Sequence, residues 1–265
     1  MQLYSIASGS SGNCIYFAEE EKGILIDVGI SMKRVIAGLE RENFSLDQVK
    51  AIFITQEHSD HISGLGPILR KAPIPVYATA NTIQAIWEKT NMNNISPELF
   101  HSVRHGEEVD VDGMVVTPFP ISHDAADPVC YTVEHDGKKG AVATDMGFFD
   151  NRIIDQLAGC DSVLLEANHD INMLQVGPYP YALKMRILGK QGHLSNDSSA
   201  SLIKEILHSD LQHIILGHLS KENNFPELAY QTVLYELEQT ETWGTLDTRL
   251  MVAKREEPSE LLQIN

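Results

Sequence analysis

Ligand-type side chains recur at the ends of short apolar runs in this chain, and that placement limits the folds open to it. The densest case is Thr55-Gln56-Glu57-His58-Ser59-Asp60-His61, at the end of the apolar run Ala51–Thr55. His58, Asp60 and His61 bring two imidazoles and a carboxylate within four residues. Imidazole nitrogen and carboxylate oxygen are the ligands that suit zinc, manganese or iron. A lone histidine is more often structural; three such groups this close point to a metal. A place just past a strand puts them on a loop held by a rigid sheet, where functional residues concentrate. The pattern repeats at Asp27 after Ile24-Leu25-Ile26, at His123 after Val115–Pro120, at Asp145 after a run ending in alanines, and at His218 after Ile214-Ile215. A single Asp after a strand is more often a turn former. Five such events in one chain make the stronger case.

The rest of the chain reads as alternating strands and helices. Strands are expected at Leu3–Ala7, Cys14–Ala18, Gly23–Asp27, Glu108–Val111, Met114–Ile121, Val129–Glu134, Gly140–Thr144, Asp161–Glu166 and His213–Gly217. Helical periodicity covers Ser31–Arg41, Ile83–Lys89, Pro178–Leu188, Asn196–His208 and Pro226–Glu238. Asn196 reads as an N-cap, and Pro178 and Pro226 as first-turn residues. Both patterns run through both halves without repeat or linker, so residues 1–265 are read as one α/β domain.

Composition then narrows the function. A net charge of −17 argues against coating nucleic acid by bulk electrostatics, but not against an enzyme that holds phosphates locally. Cys14, Cys130 and Cys160 are odd in number and widely spaced, which suits reduced, buried thiols. No apolar run approaches the ~20 residues of a membrane span, and Met1–Ser5 opens no signal peptide. A cytoplasmic protein without a membrane partner is the expectation.

The order Asp27, the Gln56–His61 cluster, His123, Asp145 and a late histidine resembles the five motifs of the metallo-β-lactamase superfamily. Further segments are similar to the bacterial WalJ family, also called YycJ or VicX: Ser8–Asn13, His123–Val129, Glu166–Asp170, Gly177–Pro180, Gly192–Asn196 and His218–Asn224. The resemblance runs from residue 3 to about 240. It implies a four-layer αβ/βα sandwich with metals at one rim, and exonuclease activity on DNA has been ascribed to relatives. It also implies a first metal held by positions 56, 58 and 123, and a second held by Asp60, His61 and His218. Asp145 bridges both, and Asp27 hydrogen-bonds a ligand. His193 resembles a histidine that helps protonate the leaving group in the tRNA-processing branch. His193 and His218 are alternatives for the late ligand, with His218 favoured because it directly follows a strand.

One position departs from the pattern. Gln56 stands where the family has His, and a carboxamide oxygen is the weaker ligand. The second site is intact by residue type and the first is weakened, so one or two divalent ions (zinc, manganese or iron) are expected, with Gln56 as a weak ligand.

The expected reaction is hydrolysis by a metal-activated water, with Asp60 orienting or deprotonating that water and His193 as general acid. The expected substrate is a nucleic-acid phosphodiester. Lys184, Arg186, Lys190 and Lys221 are candidates to hold its phosphates, or simply a solvated face. Asn13, Asn168 and His169 are expected to line the cleft. The alternatives are a small-molecule hydrolase on the same fold, and a degenerate regulatory protein because of Gln56.

Overall fold

The computed structural model describes residues 1–265. Its strands are β1 (Gln2–Ala7), β2 (Cys14–Glu19), β3 (Lys22–Ile26), β4 (Val49–Phe53), β5 (Val76–Ala78), β6 (Phe100–Ser102), β7 (Val109–Val111), β8 (Met114–Pro120), β9 (Val129–His135), β10 (Lys138–Ala143), β11 (Ser162–Glu166), β12 (His213–Gly217), β13 (Arg249–Val252) and β14 (Leu261–Gln263). They form two seven-stranded sheets, ordered β14-β1-β2-β3-β4-β5-β6 and β13-β12-β11-β10-β9-β8-β7. Each sheet is antiparallel on one side and parallel on the other. In the first, β3 to β6 run parallel; in the second, β10 to β13 do. Parallel strands need both faces covered, so they read as continuous apolar runs. Ile24–Ile26 and Val163–Leu165 are such runs, buried at every residue.

Three apolar layers follow from this. Between the sheets lie Phe17, Phe53, Tyr131, Val142 and Ile215. Outside the first sheet, Ile52 and Val76 pack against Leu39, Ile68 and Ile86, which come from helices Met32–Arg41, Leu65–Lys71 and Ala80–Lys89. Outside the second, Ala143 and Leu165 pack against Ile153, Ile203 and Val233, from helices Asn151–Leu157, Asn196–Ile206 and Pro226–Glu238. The result is the four-layer αβ/βα sandwich expected from the sequence.

Several local expectations change. The strand read at Ala51–Thr55 starts at Val49 and ends at Phe53, which frees Thr55 for a polar role. The helix read at Pro178–Leu188 begins only at Tyr181, with Pro180 as its N-cap, and a separate helix, Ile171–Val176, precedes it. Pro178 cannot donate a backbone hydrogen bond and falls in the link between them. Ser195, not Asn196, caps the next helix, accepting from Ser198 N at 3.1 Å. Asn196 is fully buried and hydrogen-bonds Asn224 instead. Pro226 does occupy the first turn of its helix. The final residues, which carry no motif, supply β13 and β14 at one edge of each sheet.

Phe53 locks the sheets together. It stacks on Tyr77 at 5.0 Å and meets Tyr131 edge-on at 5.4 Å. Tyr131 Oη in turn donates to Ile54 O at 2.9 Å across the interface. Phe53→Ala is expected to cost about 3–5 kcal/mol, read as a lower denaturant midpoint at unchanged slope; a loss under 1 kcal/mol contradicts this packing.

Candidate metal centre

The strand ends converge at one rim, and backbone conformation shows how tightly they are held. Asp27 follows β3, Asp145 lies two residues past β10, and His218 follows β12; their φ angles are 59°, 62° and 53°. Residues other than glycine rarely occupy this left-handed region, and such strain clusters at functional sites. The turn after β3 presses on the histidine loop: Val28 N donates to His61 O and Asn13 N to Asp60 O, both at 2.8 Å. Gly29 permits this approach, because a Cβ there would sit 1.6 Å from Asp60 O.

Asp27 does not face the cleft. Its carboxylate accepts from Thr55 N (2.9 Å) and Thr55 Oγ1 (2.8 Å) and pairs with His61 Nδ1 at 2.7 Å. That contact turns His61 Nε2 toward the centre. There Nε2 lies 3.2 Å from Asp145 Oδ2 and 3.4 Å from Asp60 Oδ2.

Asp145 is the hub. Its Oδ2 is 3.0 Å from His218 Nδ1, and its Oδ1 is 3.7 Å from His123 Nε2 and 3.5 Å from His193 Nδ1. The two oxygens thus face different imidazole groups. His218 Nε2 is 3.7 Å from Asp60 Oδ2, and the His58 and His123 rings lie 5.4 Å apart. Ser8 Oγ accepts from His218 N at 2.9 Å, so the Ser8–Asn13 segment supports the rim.

Glu166, the last residue of β11, joins the site although no metal-ligand motif points to it. It is fully buried. Its Oε1 accepts from His193 Nδ1 at 2.8 Å, and its Oε2 accepts from Met146 N at 3.0 Å and Leu194 N at 2.9 Å. His193 is therefore paired and oriented by a carboxylate. An acid directly after the apolar run Val163-Leu164-Leu165 was the available signal.

Among the other expected residues, Asn13 donates to Asp60 O at 3.3 Å and lies 3.4 Å from His61 Nε2. Asn168 donates to His218 O at 3.0 Å and lines a cleft shared with Ser10, Asp124, Arg186 and His193. Gln56 is buried with its amide nitrogen 3.1 Å from His61 Nε2. His169 differs from expectation: it is 1% exposed, and neither ring nitrogen has a hydrogen-bond partner. It packs beneath the rim, where burial pushes its pKa down to about 4 and keeps it neutral. Of the expected phosphate holders, Arg186 pairs with Asp124. Lys184 donates to Gln175 O at 2.8 Å, and Lys190 lies 6.0 Å from the Phe148 ring. A second cleft, on the far side of His58, is lined by Arg70 and Lys89.

The donor set fits divalent metal ions. Imidazole nitrogens and carboxylate oxygens gather in small groups: His58, His123 and Asp124 form one, and Asp60, His61 and His218 another. Asp145 Oδ2 and His218 Nδ1 are buried without a well-formed hydrogen bond, although they face each other. The carboxylates raise the proton affinity of the nearest imidazoles. Burial opposes charge on His61, but Asp27, Asp60 and Asp145 outweigh it and hold its pKa well above the usual value. Burial likewise opposes charge on His218, yet Asp145 and Asp60 raise its pKa to about 10. Burial alone would raise Asp60 and Asp145; the facing histidines keep both well below the usual carboxylate range. His123 goes the other way, pushed down mainly by burial.

Comparison with known proteins identifies the family. The family model described as Beta-lactamase superfamily domain matches residues 22–216. The chain is 36% identical over 234 residues to Exodeoxyribonuclease YycJ of Bacillus anthracis, covering 88% of each protein. It is also 36% identical over 262 residues to Exodeoxyribonuclease WalJ of Streptococcus pneumoniae, covering 98% of this chain and 97% of that one. Among solved structures, the metallo-β-lactamase fold protein YhfI of Bacillus subtilis superposes with a TM-score of 0.70 at 13% identity, over 97% of this chain and 98% of that one. The chain belongs to the metallo-β-lactamase superfamily and, within it, to the WalJ/YycJ family of metal-dependent phosphodiester hydrolases. No helix is long and apolar enough to cross a membrane.

Because the surrounding carboxylates favour protons on His61 and His218, metal binding competes with protonation, weakens as pH falls and releases protons. Calorimetric titration of metal-stripped protein at about pH 8 should give a heat that depends on the buffer's ionisation enthalpy. A heat independent of buffer contradicts the protonated histidines.

Proposed function

We propose that this chain is a metal-dependent DNA exonuclease. The observation that carries the reading is the Asp145 carboxylate, whose two oxygens face separate imidazole groups at one rim. The near full-length likeness to two exodeoxyribonucleases supports DNA as the substrate.

In this reading Asp60, His61 and His218 would hold one divalent ion and His58 and His123 the other, with Asp145 placed to serve either. The neutral Gln56 adds at most a weak ligand to the second of these groups. Such ions, when bound, lower the pKa of water and neutralise phosphoryl charge.

The chain's own residues do the rest. Asp27 and Thr55 fix His61. Burial opposes charge on Asp60, but His61 and His218 keep it ionised, which suits a group that orients the attacking water. His193 shares its Nδ1 proton with Glu166, which leaves Nε2 to face a leaving oxygen. Burial disfavours charge on His193, but Glu166 and Asp145 raise its pKa. That shift favours the protonated imidazole a general acid needs. Arg70, in the cleft beside His58, brings positive charge near the centre. It offers a contact for a phosphate backbone on an otherwise acidic protein.

End-labelled DNA incubated with manganese- or zinc-loaded protein should be shortened from an end, and chelator or Asp145→Ala should stop it. His193→Ala should lower kcat roughly a hundredfold or more on DNA, and far less on a p-nitrophenyl phosphodiester, whose leaving group needs no proton. Equal losses on both substrates overturn the acid role of His193; a loaded protein inert on every phosphodiester overturns the reading itself.

A further inference from the structure

The group around His58 and His123 has a weak corner at Gln56 and an unused carboxylate opposite it. Gln56 presents its amide nitrogen to His61 at 3.1 Å, and that nitrogen has no lone pair to give a metal. Its Oε1 is a neutral donor. Asp124 directly follows His123, and its Oδ1 lies 3.3 Å from His123 Nε2. That oxygen is shut off from water and accepts no hydrogen bond. A ring nitrogen of His58, a ring nitrogen of His123 and a carboxylate oxygen of Asp124 all lie within 4.8 Å of one another.

The tautomer of His123 makes this contact informative. Its Nδ1 lies 3.1 Å from Gly192 O, an atom that can only accept, so Nδ1 carries the hydrogen. Nε2 is therefore the nitrogen that His123 turns toward Asp124 Oδ1, and a metal ion beside the pair would take a lone pair from each. Arg186 Nε pairs with the other oxygen, Oδ2, and no hydrogen bond reaches Oδ1. That ion pair holds the carboxylate with Oδ1 turned toward the histidines, as partners of metal ligands commonly do.

We propose that Asp124 is a ligand of the metal ion held by His58 and His123, supplying the donor that Gln56 cannot. The inference rests on the metal-dependent reading above. It revises the expectation of a lopsided centre, because a carboxylate brings a negative charge that neither Gln nor His provides. It also reassigns Arg186, expected to hold phosphate, as the residue that positions Asp124.

The test is metal binding, read without catalysis. Metal-stripped protein is dialysed against zinc or manganese and its content measured by mass spectrometry, with manganese coupling followed by electron paramagnetic resonance. Wild type should take up about two ions per chain and show a coupled manganese pair. Asp124→Asn should lose affinity for one ion by roughly a hundredfold and lose the coupling. The retained second ion reports that the variant is folded. Adding Gln56→His to Asp124→Asn should restore the lost ion, because it returns the missing imidazole. Unchanged content and affinity in Asp124→Asn overturn the proposal, as does a wild type that saturates at one ion and is indifferent to His58→Ala. A wild type that binds no metal overturns the metal-dependent reading as well, which separates the two failures.

Discussion

The centre depends on an electrostatic debt that the fold creates on purpose. Asp145 and Glu166 are buried, and Asp60 is largely shielded, within a few ångströms of four imidazoles. Ionised carboxylates out of water are costly unless something positive stands beside them. That demand shows in the raised proton affinity of His61 and His218. A divalent ion meets it better than a proton, because one ion can face several carboxylates at once. Metal binding and the stability of the rim are therefore one problem, and removing Asp145 removes the group on which both imidazole sets converge.

The sandwich makes that arrangement rigid. Parallel strands deliver Asp27, the histidine loop, Asp145, Glu166 and His218 to one rim, and the left-handed turns at Asp27, Asp145 and His218 aim the side chains inward. Hydrogen bonds then fix each ring: Asp27 holds His61, Gly192 holds His123 and Glu166 holds His193. Each of the three rings is thereby held in one orientation. Phe53 and Tyr131 join the two sheets beneath, which keeps the loops of one sheet in register with those of the other.

Much of this was legible before the structure. Ligand-type residues after apolar runs are a local signal, and Asp27, His58, Asp60, His61, His123, Asp145 and His218 all meet at the rim. What escaped notice lacked such a signal. Glu166 is the last residue of its strand rather than a residue beyond it, so it reads as part of the run. Asp124 stands next to a histidine that already explains the motif, and only the tautomer of His123 gives its free oxygen meaning. The short strands Val76–Ala78, Phe100–Ser102, Arg249–Val252 and Leu261–Gln263 have three or four residues each. At that length pairing, not periodicity, makes the strand. His169 has the neighbours of a cleft residue in sequence, but its β-bridge to Ser195 turns it into the interior.

The most direct measurement is anomalous diffraction from crystals of the manganese- or zinc-loaded protein. Two peaks are expected, one on each side of the Asp145 carboxylate: the first among His58, His123 and Asp124, the second among Asp60, His61 and His218. A single peak between Glu166 and His193, or density at neither group, contradicts a centre organised around Asp145.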